Sequence, residues 1–171
     1  KATTFGSAQS ANVKIDAAGV PGVGSTPLAA LKLTIGYEHA NSQSEKFTEK
    51  EGATIAANYA YGPMAFGYQL KRFNEQATAA GDDVYYDDNI YGIVFAVNDA
   101  LKLSYNVIES TKVTVGQLSD AADIDQDTKA INAAYTIGGL TIGLQEAKTS
   151  NSGYVTGTDN NTRTLSVKTA F

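Results

Sequence analysis

Isolated lysines, a glutamate and several asparagines recur at alternate positions within small, polar stretches of the chain. The residues that follow this pattern are Lys32, Glu38, Asn58, Lys71, Lys102, Asn106, Asn132 and Lys168. Charged side chains that line a water-filled passage keep most of their hydration and bias the movement of ions through the local potential. The pattern therefore predicts a lining that tunes ion movement. The alternative is that the lysines are ordinary solvated wall residues.

An acidic stretch at residues 120–127 contains four aspartates. Hard cations favour clustered carboxylates, so Asp123, Asp125 and Asp127 are candidate ligands for Ca²⁺. The stretch lacks the glycine and the closing glutamate of an EF-hand loop. A solvated acidic loop is therefore the favoured interpretation, and no metal is assigned.

Catalysis has no support in the residue types. His39 is the only histidine, and no Ser/His/Asp spacing or carboxylate pair accompanies it. Cysteine is absent, which removes thiolate chemistry. The 13 basic residues are scattered singly among 18 acidic ones, which argues against a nucleic-acid partner. We expect a protein that is not an enzyme and needs no cofactor.

The residues above lie in segments whose hydrophobicity alternates with period two, as in half-exposed strands. No run of eighteen apolar residues is present, so a spanning helix is excluded. Each segment has about the 9–11 residues that a tilted strand needs to cross a membrane. The eight predicted strands are 29–39, 51–61, 63–73, 88–98, 100–110, 128–138, 139–149 and 161–171.

Each predicted strand separates into two faces, because successive side chains point in opposite directions. In the first strand Leu31, Leu33 and Ile35 share one face, whereas Lys32 and Thr34 share the other. Across the chain the second face carries mainly Gly, Ala, Ser, Thr and Asn with single lysines, rather than the long charged side chains of a soluble sandwich. This composition is typical of a wet lumen.

The predicted connections alternate between short and long. Tight turns are expected at Gly62-Pro63, Asn98-Asp99 and Gly138-Gly139. Longer polar loops are expected near 40–50, 74–87, 111–127 and 150–160. Short turns on one rim and long loops on the other are typical of outer-membrane β-barrels, whose short turns are periplasmic. The sequence thus predicts an antiparallel transmembrane β-barrel in a Gram-negative outer membrane.

A second set of charges lies on the lipid-facing parity near the loop rim. It comprises Arg72, Lys129 and Arg163, with Glu109 and Glu146 at a similar depth. Charge on that face is tolerated near an interface, where it costs about 0–1 kcal/mol. We expect the cations to contact lipopolysaccharide phosphates directly and the carboxylates to do so through divalent ions. Ordinary rim charges are the alternative.

Residues 1–28 interrupt the pattern with a Gly/Pro-rich stretch, although Val13 and Ile15 indicate a partial ninth strand. The prediction is an irregular segment at 1–28 and transmembrane strands at 29–171. The start at Lys1 without an h-region suggests that a signal peptide has been removed or that an upstream portion is missing. A complete bacterial single-chain barrel has an even strand count, so nine strands would imply a fragment.

Several stretches together resemble the C-terminal half of alphaproteobacterial general porins, especially marine ones. They are residues 59–68 (YAYGPMAFGY), 95–105 (FAVNDALKLSY), 139–144 (GLTIGL) and 163–171 (RTLSVKTAF). The resemblance implies a sixteen-stranded, trimeric porin barrel, of which this chain supplies about eight or nine strands. It also implies that the terminal Phe171 is recognised by the outer-membrane assembly machinery. The constricting third loop of such porins would lie outside this stretch, so its residues have no counterparts here.

The expected function is passive diffusion of small polar solutes and ions across the outer membrane. One alternative is a small closed eight-stranded barrel that serves as a structural anchor or adhesion protein, with its interior filled by side chains. Small interior residues favour the wider barrel. A soluble β-sandwich or lipid-binding barrel is a third interpretation, which solubility without detergent would reveal.

Overall fold

The described residues form a single sheet of nine antiparallel strands. The computed structural model describes residues 8–22, 24–40, 50–75, 83–116 and 121–169. The strands are β1 (Ala8–Asp16), β2 (Leu31–Ala40), β3 (Lys50–Tyr61), β4 (Met64–Glu75), β5 (Asp83–Ala96), β6 (Leu101–Val115), β7 (Ile124–Ile137), β8 (Leu140–Ser150) and β9 (Asn160–Thr169). Each strand pairs with the next along the chain, in the order β1 to β9.

In the described part of the chain, helical structure is confined to two 3₁₀ turns, Ala17–Gly19 and Pro27–Ala30, both between β1 and β2. Within the described ranges, no helix has the length and apolar character needed to span a membrane. The predictions of an all-β chain and of antiparallel strands are therefore confirmed.

Two of the tight turns depend on glycine. Gly62, between β3 and β4, has φ 55°, and Gly138, between β7 and β8, has φ 57°. A two-residue hairpin turn of type II′ needs this left-handed conformation at its first central position, and it is nearly free only for glycine. At the third turn the Asn98 side chain accepts hydrogen bonds from the backbone N–H groups of Ala100 and Leu101, at 2.9 and 2.8 Å.

The strands extend further toward the long loops than their hydrophobic pattern predicted. β5 begins at Asp83 rather than near residue 88, and β6 continues to Val115. β7 begins at Ile124, so the prediction of a loop near 111–127 is wrong for Asp125 and Asp127, which lie in a strand. In β5 the added residues Val84, Tyr85 and Tyr86 place apolar side chains on both faces, and in β7 Ile124 stands alone among polar residues. The alternation therefore fades at these ends, while backbone pairing with the neighbouring strand continues.

The register gives the sheet one polar and one apolar face. Directly paired residues of antiparallel strands project on the same side. Lys32 pairs with Asn58, Asn58 with Gly67, and Gly67 with Gly92, which pairs with Asn106. We call the face that carries these residues the polar face. The opposite, apolar face carries the alternate positions, among them Ile35, Ile55, Leu70, Tyr105 and Leu144.

The sheet has almost no core of its own. In the described part of the chain the buried hydrophobic residues are Val107, 2% exposed, and Ala130, 8% exposed. Large apolar side chains on the apolar face remain open instead, for example Ile131 at 63% and Leu165 at 67%. Burial of apolar surface is worth about 25 cal/mol per Å². That contribution is nearly unused within the sheet, so the apolar face needs an apolar environment from outside it.

The two edge strands leave the sheet open. With nine alternating strands, β1 and β9 run in the same direction, and no pairing between them is present among the described residues. Direct closure of this sheet on itself would require a parallel seam. Each edge therefore presents a row of backbone groups that can accept a further antiparallel strand.

Candidate functional site

All eight predicted lining residues lie on the polar face. They are distributed over β2, β3, β4, β6, β7 and β9, so they do not form a single cluster. We call the surface of the polar face on which they lie the wall. The structure brings some of them close together. Lys32 is opposite Asn58, and Asn132 donates a hydrogen bond of 3.1 Å to the Ser104 hydroxyl, which lies one pair from Asn106 on the same face.

Glycines on the polar face make room for polar side chains from the adjacent strand. A Cβ added to Gly52 would lie 2.6 Å from Glu38 Oε1. One added to Gly92 would overlap Asn106 Oδ1 in the same way. Glu38 and Asn106 therefore lie along the wall instead of projecting away from it. Around Gly67 and Gly92 the small side chains leave a hollow of about 510 Å³ against the sheet.

The polar face carries more positive than negative charge, although the whole chain has a net charge of −5. Its lysines in the described strands are Lys14, Lys32, Lys50, Lys71, Lys102, Lys112 and Lys168. Its described acidic side chains are Asp16, Glu38 and Asp88. Most of the other described acidic residues, among them Glu51, Asp87, Glu109 and Glu146, lie on the apolar face, so negative charge is concentrated there.

The sequence analysis did not single out three of these charges, because they lie at or beyond the ends of its eight predicted strands. Asp16 lies 3.8 Å from Lys32, with both side chains well exposed. Asp88 is directly opposite Lys71 in β4. Lys112 lies in the part of β6 that was predicted to be a loop. Counting alternate positions outward from the confident strands would have placed all three on the polar face.

The predicted lipid-facing cations lie on the apolar face, and two of them already have carboxylate partners. Arg72 donates from Nε and Nη2 to the two oxygens of Asp87, at 2.5 and 2.6 Å. Arg163 Nε lies 3.4 Å from Glu146 Oε2. Glu109, which lies on the same apolar face, accepts hydrogen bonds from the Tyr91 hydroxyl and from the Asn89 amide, at 2.9 and 3.2 Å.

Lys129 differs from these two cations. It is directly opposite Lys148 on the apolar face. Within the described residues neither lysine has a carboxylate within 4.0 Å. Like charges directly opposite each other destabilise a sheet, so this pair is suited to an anion from outside. The sequence analysis missed Lys148, which the parity of β8 would have revealed.

Two ion pairs mark where the exposed apolar side chains of the apolar face end toward the long loops. The line that joins these pairs is oblique to the rows of paired residues. On β4 and β5 the boundary is the pair Arg72 and Asp87, in the same row as Thr111 of β6. On β8 and β9 it is the pair Glu146 and Arg163, in the row of Tyr105 of β6. Between the centres of the two pairs it therefore shifts by six residues over four strand intervals, which at about 3.3 Å per residue and 4.8 Å per strand is an angle of about 45° to the rows.

The edge with the short turns is oblique in the same sense. The β3–β4 turn closes at the pair Tyr61 and Met64, and the β7–β8 turn at Ile137 and Leu140. The strand register places Met64 in the same row as Ala133 of β7, and the second turn closes four residues later, at Ile137. The centres of the two turns are four strand intervals apart. The corresponding angle is about 35°. We call the apolar side chains between these two lines the apolar band. The charged boundary on one side and the edge with the short turns on the other run roughly parallel.

The aspartates proposed as calcium ligands do not form a ligand cluster. Asp125 accepts a hydrogen bond of 2.7 Å from the Thr111 hydroxyl, and Asp123 lies just before β7. Across the described ranges, no group of three or more His, Cys, Asp or Glu residues is arranged to hold a metal ion. The predicted assembly signal, Phe171, lies outside the described residues.

Comparisons with protein-family models, curated proteins and solved structures found no match to this chain. Arguments about its function therefore rest on the two faces and their boundaries.

Proposed function

We propose that the chain forms the wall of a passive diffusion channel for small polar solutes and ions in a Gram-negative outer membrane. The polar face lines a water-filled lumen, and the apolar face contacts lipid. The observation that carries the proposal is the exposed band of large apolar side chains on one face, opposite a face of small polar residues and lysines. A soluble sheet protein would cover such a face with a second layer.

The geometry of the apolar band supports a membrane location. If the charged boundary and the turn edge mark the two membrane interfaces, the strands are tilted by about 35–45° from the membrane normal. The nine residue steps from Pro63 to Arg72 then span about 21–24 Å across the membrane. Outer-membrane barrels have strand tilts of about 35–45° and an apolar band of about 25 Å.

The open edges at β1 and β9 support a larger barrel. Further antiparallel strands are needed to close it, and a longer chain with the sixteen strands and trimeric assembly of porins would supply them. A closed barrel of only eight strands would leave β1 without a role. The small residues of the polar face would also leave such a narrow interior poorly filled.

The charges on the polar face favour a preference for anions. Seven lysines and three described acidic side chains line it, so the local potential along the wall is positive. On the apolar face, the pair Lys129 and Lys148, with Arg163 nearby, is the best-placed contact for lipopolysaccharide phosphates. These lysines lie at the boundary of the band, where charge is tolerated on a lipid-facing surface.

The test is reconstitution of the intact mature protein, in detergent, into planar lipid bilayers. We expect stepwise increases in conductance and, in a salt gradient, a reversal potential that indicates anion preference. Detergent alone is the control. A protein that stays soluble and folded without detergent, and that adds no conductance, would contradict the proposal. The mass of the intact polypeptide, measured on the same sample, tests whether the remaining strands belong to the same chain.

A further inference from the structure

The segment that connects β8 to β9, residues 151–159, folds back over the polar face. We call it the inner loop. The Asn151 amide donates a hydrogen bond of 2.8 Å to the Asp125 carbonyl oxygen in β7. The backbone N–H of Gly153 donates to Gln126 Oε1, also at 2.8 Å, and Gln126 lies on the polar face. The inner loop therefore crosses the wall instead of extending beyond the end of the strands.

Tyr154 anchors the inner loop further along the wall. Its hydroxyl lies 2.6 Å from Ser110 Oγ of β6, which also donates to the Asp88 carboxylate of β5. The Tyr154 ring packs against that of Tyr86, with centroids 5.0 Å apart. Ser110 is only 3% exposed and is the buried polar side chain of the described residues. A network of satisfied hydrogen bonds in such a dry position specifies a single arrangement.

The backbone of the inner loop is shaped for this position. Asn151 and Tyr154 have φ values of 50° and 57°, a left-handed conformation that few residues other than glycine adopt. Gly153 and Gly157 have φ values of 69° and 78°. Internal hydrogen bonds close the loop, from Ser152 N–H to the carbonyl oxygen of Thr158 at 2.6 Å and from Gly157 N–H to Asn151 Oδ1 at 2.9 Å. The inner loop is thus a defined structure rather than an open connection.

We propose that the inner loop is a constriction element, which narrows the channel near its loop rim by lying against the inner wall of β5, β6 and β7. This inference rests on the proposed function. From β8, the loop reaches across three strand spacings to β5, a distance of about 14 Å. Its anchor residue Tyr154 and the Asp88 carboxylate meet the same hydroxyl, that of Ser110. Lys71 lies directly opposite Asp88 in β4.

Single-channel recordings of Tyr154→Ala test the constriction. Loss of the anchor should release the inner loop and raise conductance on the order of 1.5-fold. Val155→Ala is the matched control, because Val155 is the next residue, is 56% exposed and belongs to the same loop. It should leave both conductance and selectivity at the wild-type values.

A second variant keeps the test valid if Tyr154→Ala fails to fold. Replacement of residues 152–158 by two glycines removes the constriction without changing a strand, and it should reproduce the higher conductance of Tyr154→Ala. Wild-type conductance in both variants would overturn the constriction while leaving the channel itself intact. Failure of the wild-type protein to form any channel would instead overturn the proposed function, so the two failures are distinguishable.

Discussion

Two adjacent alanines of β7 allow a direct comparison of the two faces. Ala133 lies on the apolar face, opposite Leu103 and Leu144, and Ala134 lies on the polar face, opposite Lys102 and Gly143. Both side chains are half-buried. Ala133 is four residues from Lys129 and five from Gly138, which at a tilt of about 40° places it about 10 and 13 Å from the two boundaries of the apolar band. It is therefore close to the middle of the proposed membrane.

A lysine in the middle of the lipid-facing surface of a barrel costs about 2–4 kcal/mol. We therefore expect Ala133→Lys to lower the free energy of unfolding by that amount. Ala134→Lys would place a lysine in water opposite Lys102, and its cost should be at most about 1 kcal/mol of like-charge repulsion. The assay is reversible unfolding by denaturant from lipid vesicles. Equal costs for the two variants, both below about 1 kcal/mol, would refute the assignment of the faces.

Three further predictions concern the wall and its boundary. Lys71→Glu together with Lys102→Glu should shift the reversal potential toward cations, and an unchanged potential would show that these lysines do not tune selectivity. Gly92→Val should lower single-channel conductance, because the added side chain displaces the neighbouring asparagine from the wall; a channel of wild-type conductance would contradict this close packing. Lys129→Ala with Lys148→Ala should reduce the lipopolysaccharide that copurifies, measured by phosphate content per protein, and an unaltered content would rule out this pair as the contact.

Much of the fold could be predicted because alternation with period two carries the necessary information. Ile35 and Lys32 belong to opposite faces whatever the partner strand is, and the register then aligns the faces of neighbouring strands. The turns at Gly62 and Gly138 were also recognisable, since only glycine readily adopts the conformation that they need. The strand end near Asp83 could not be predicted, because Val84, Tyr85 and Tyr86 put apolar side chains on both faces and so break the alternation. The end near Ile124 could not be predicted, because Ile124 is a single apolar residue among polar ones.

The sequence could predict the face on which each residue of the candidate site lies, but not the partners of its side chain. The sequence assigns Arg72 to the lipid-facing parity, yet its bidentate ion pair with Asp87 depends on the register between β4 and β5. The pair of Lys129 and Lys148 depends in the same way on the register between β7 and β8. The inward fold of the loop around Tyr154 has no counterpart in any periodic pattern, because it depends on contacts with three other strands.

The most direct test of the account uses single cysteines placed along β6, since the chain has none of its own. Residues 103 to 106 would be replaced one at a time, and each variant, reconstituted in lipid vesicles, would be treated with a water-soluble thiol reagent. The account predicts that Ser104→Cys and Asn106→Cys react rapidly, whereas Leu103→Cys and Tyr105→Cys react only after the lipid is dissolved. Rapid reaction at all four positions, or slow reaction at the two polar-face positions, would contradict it.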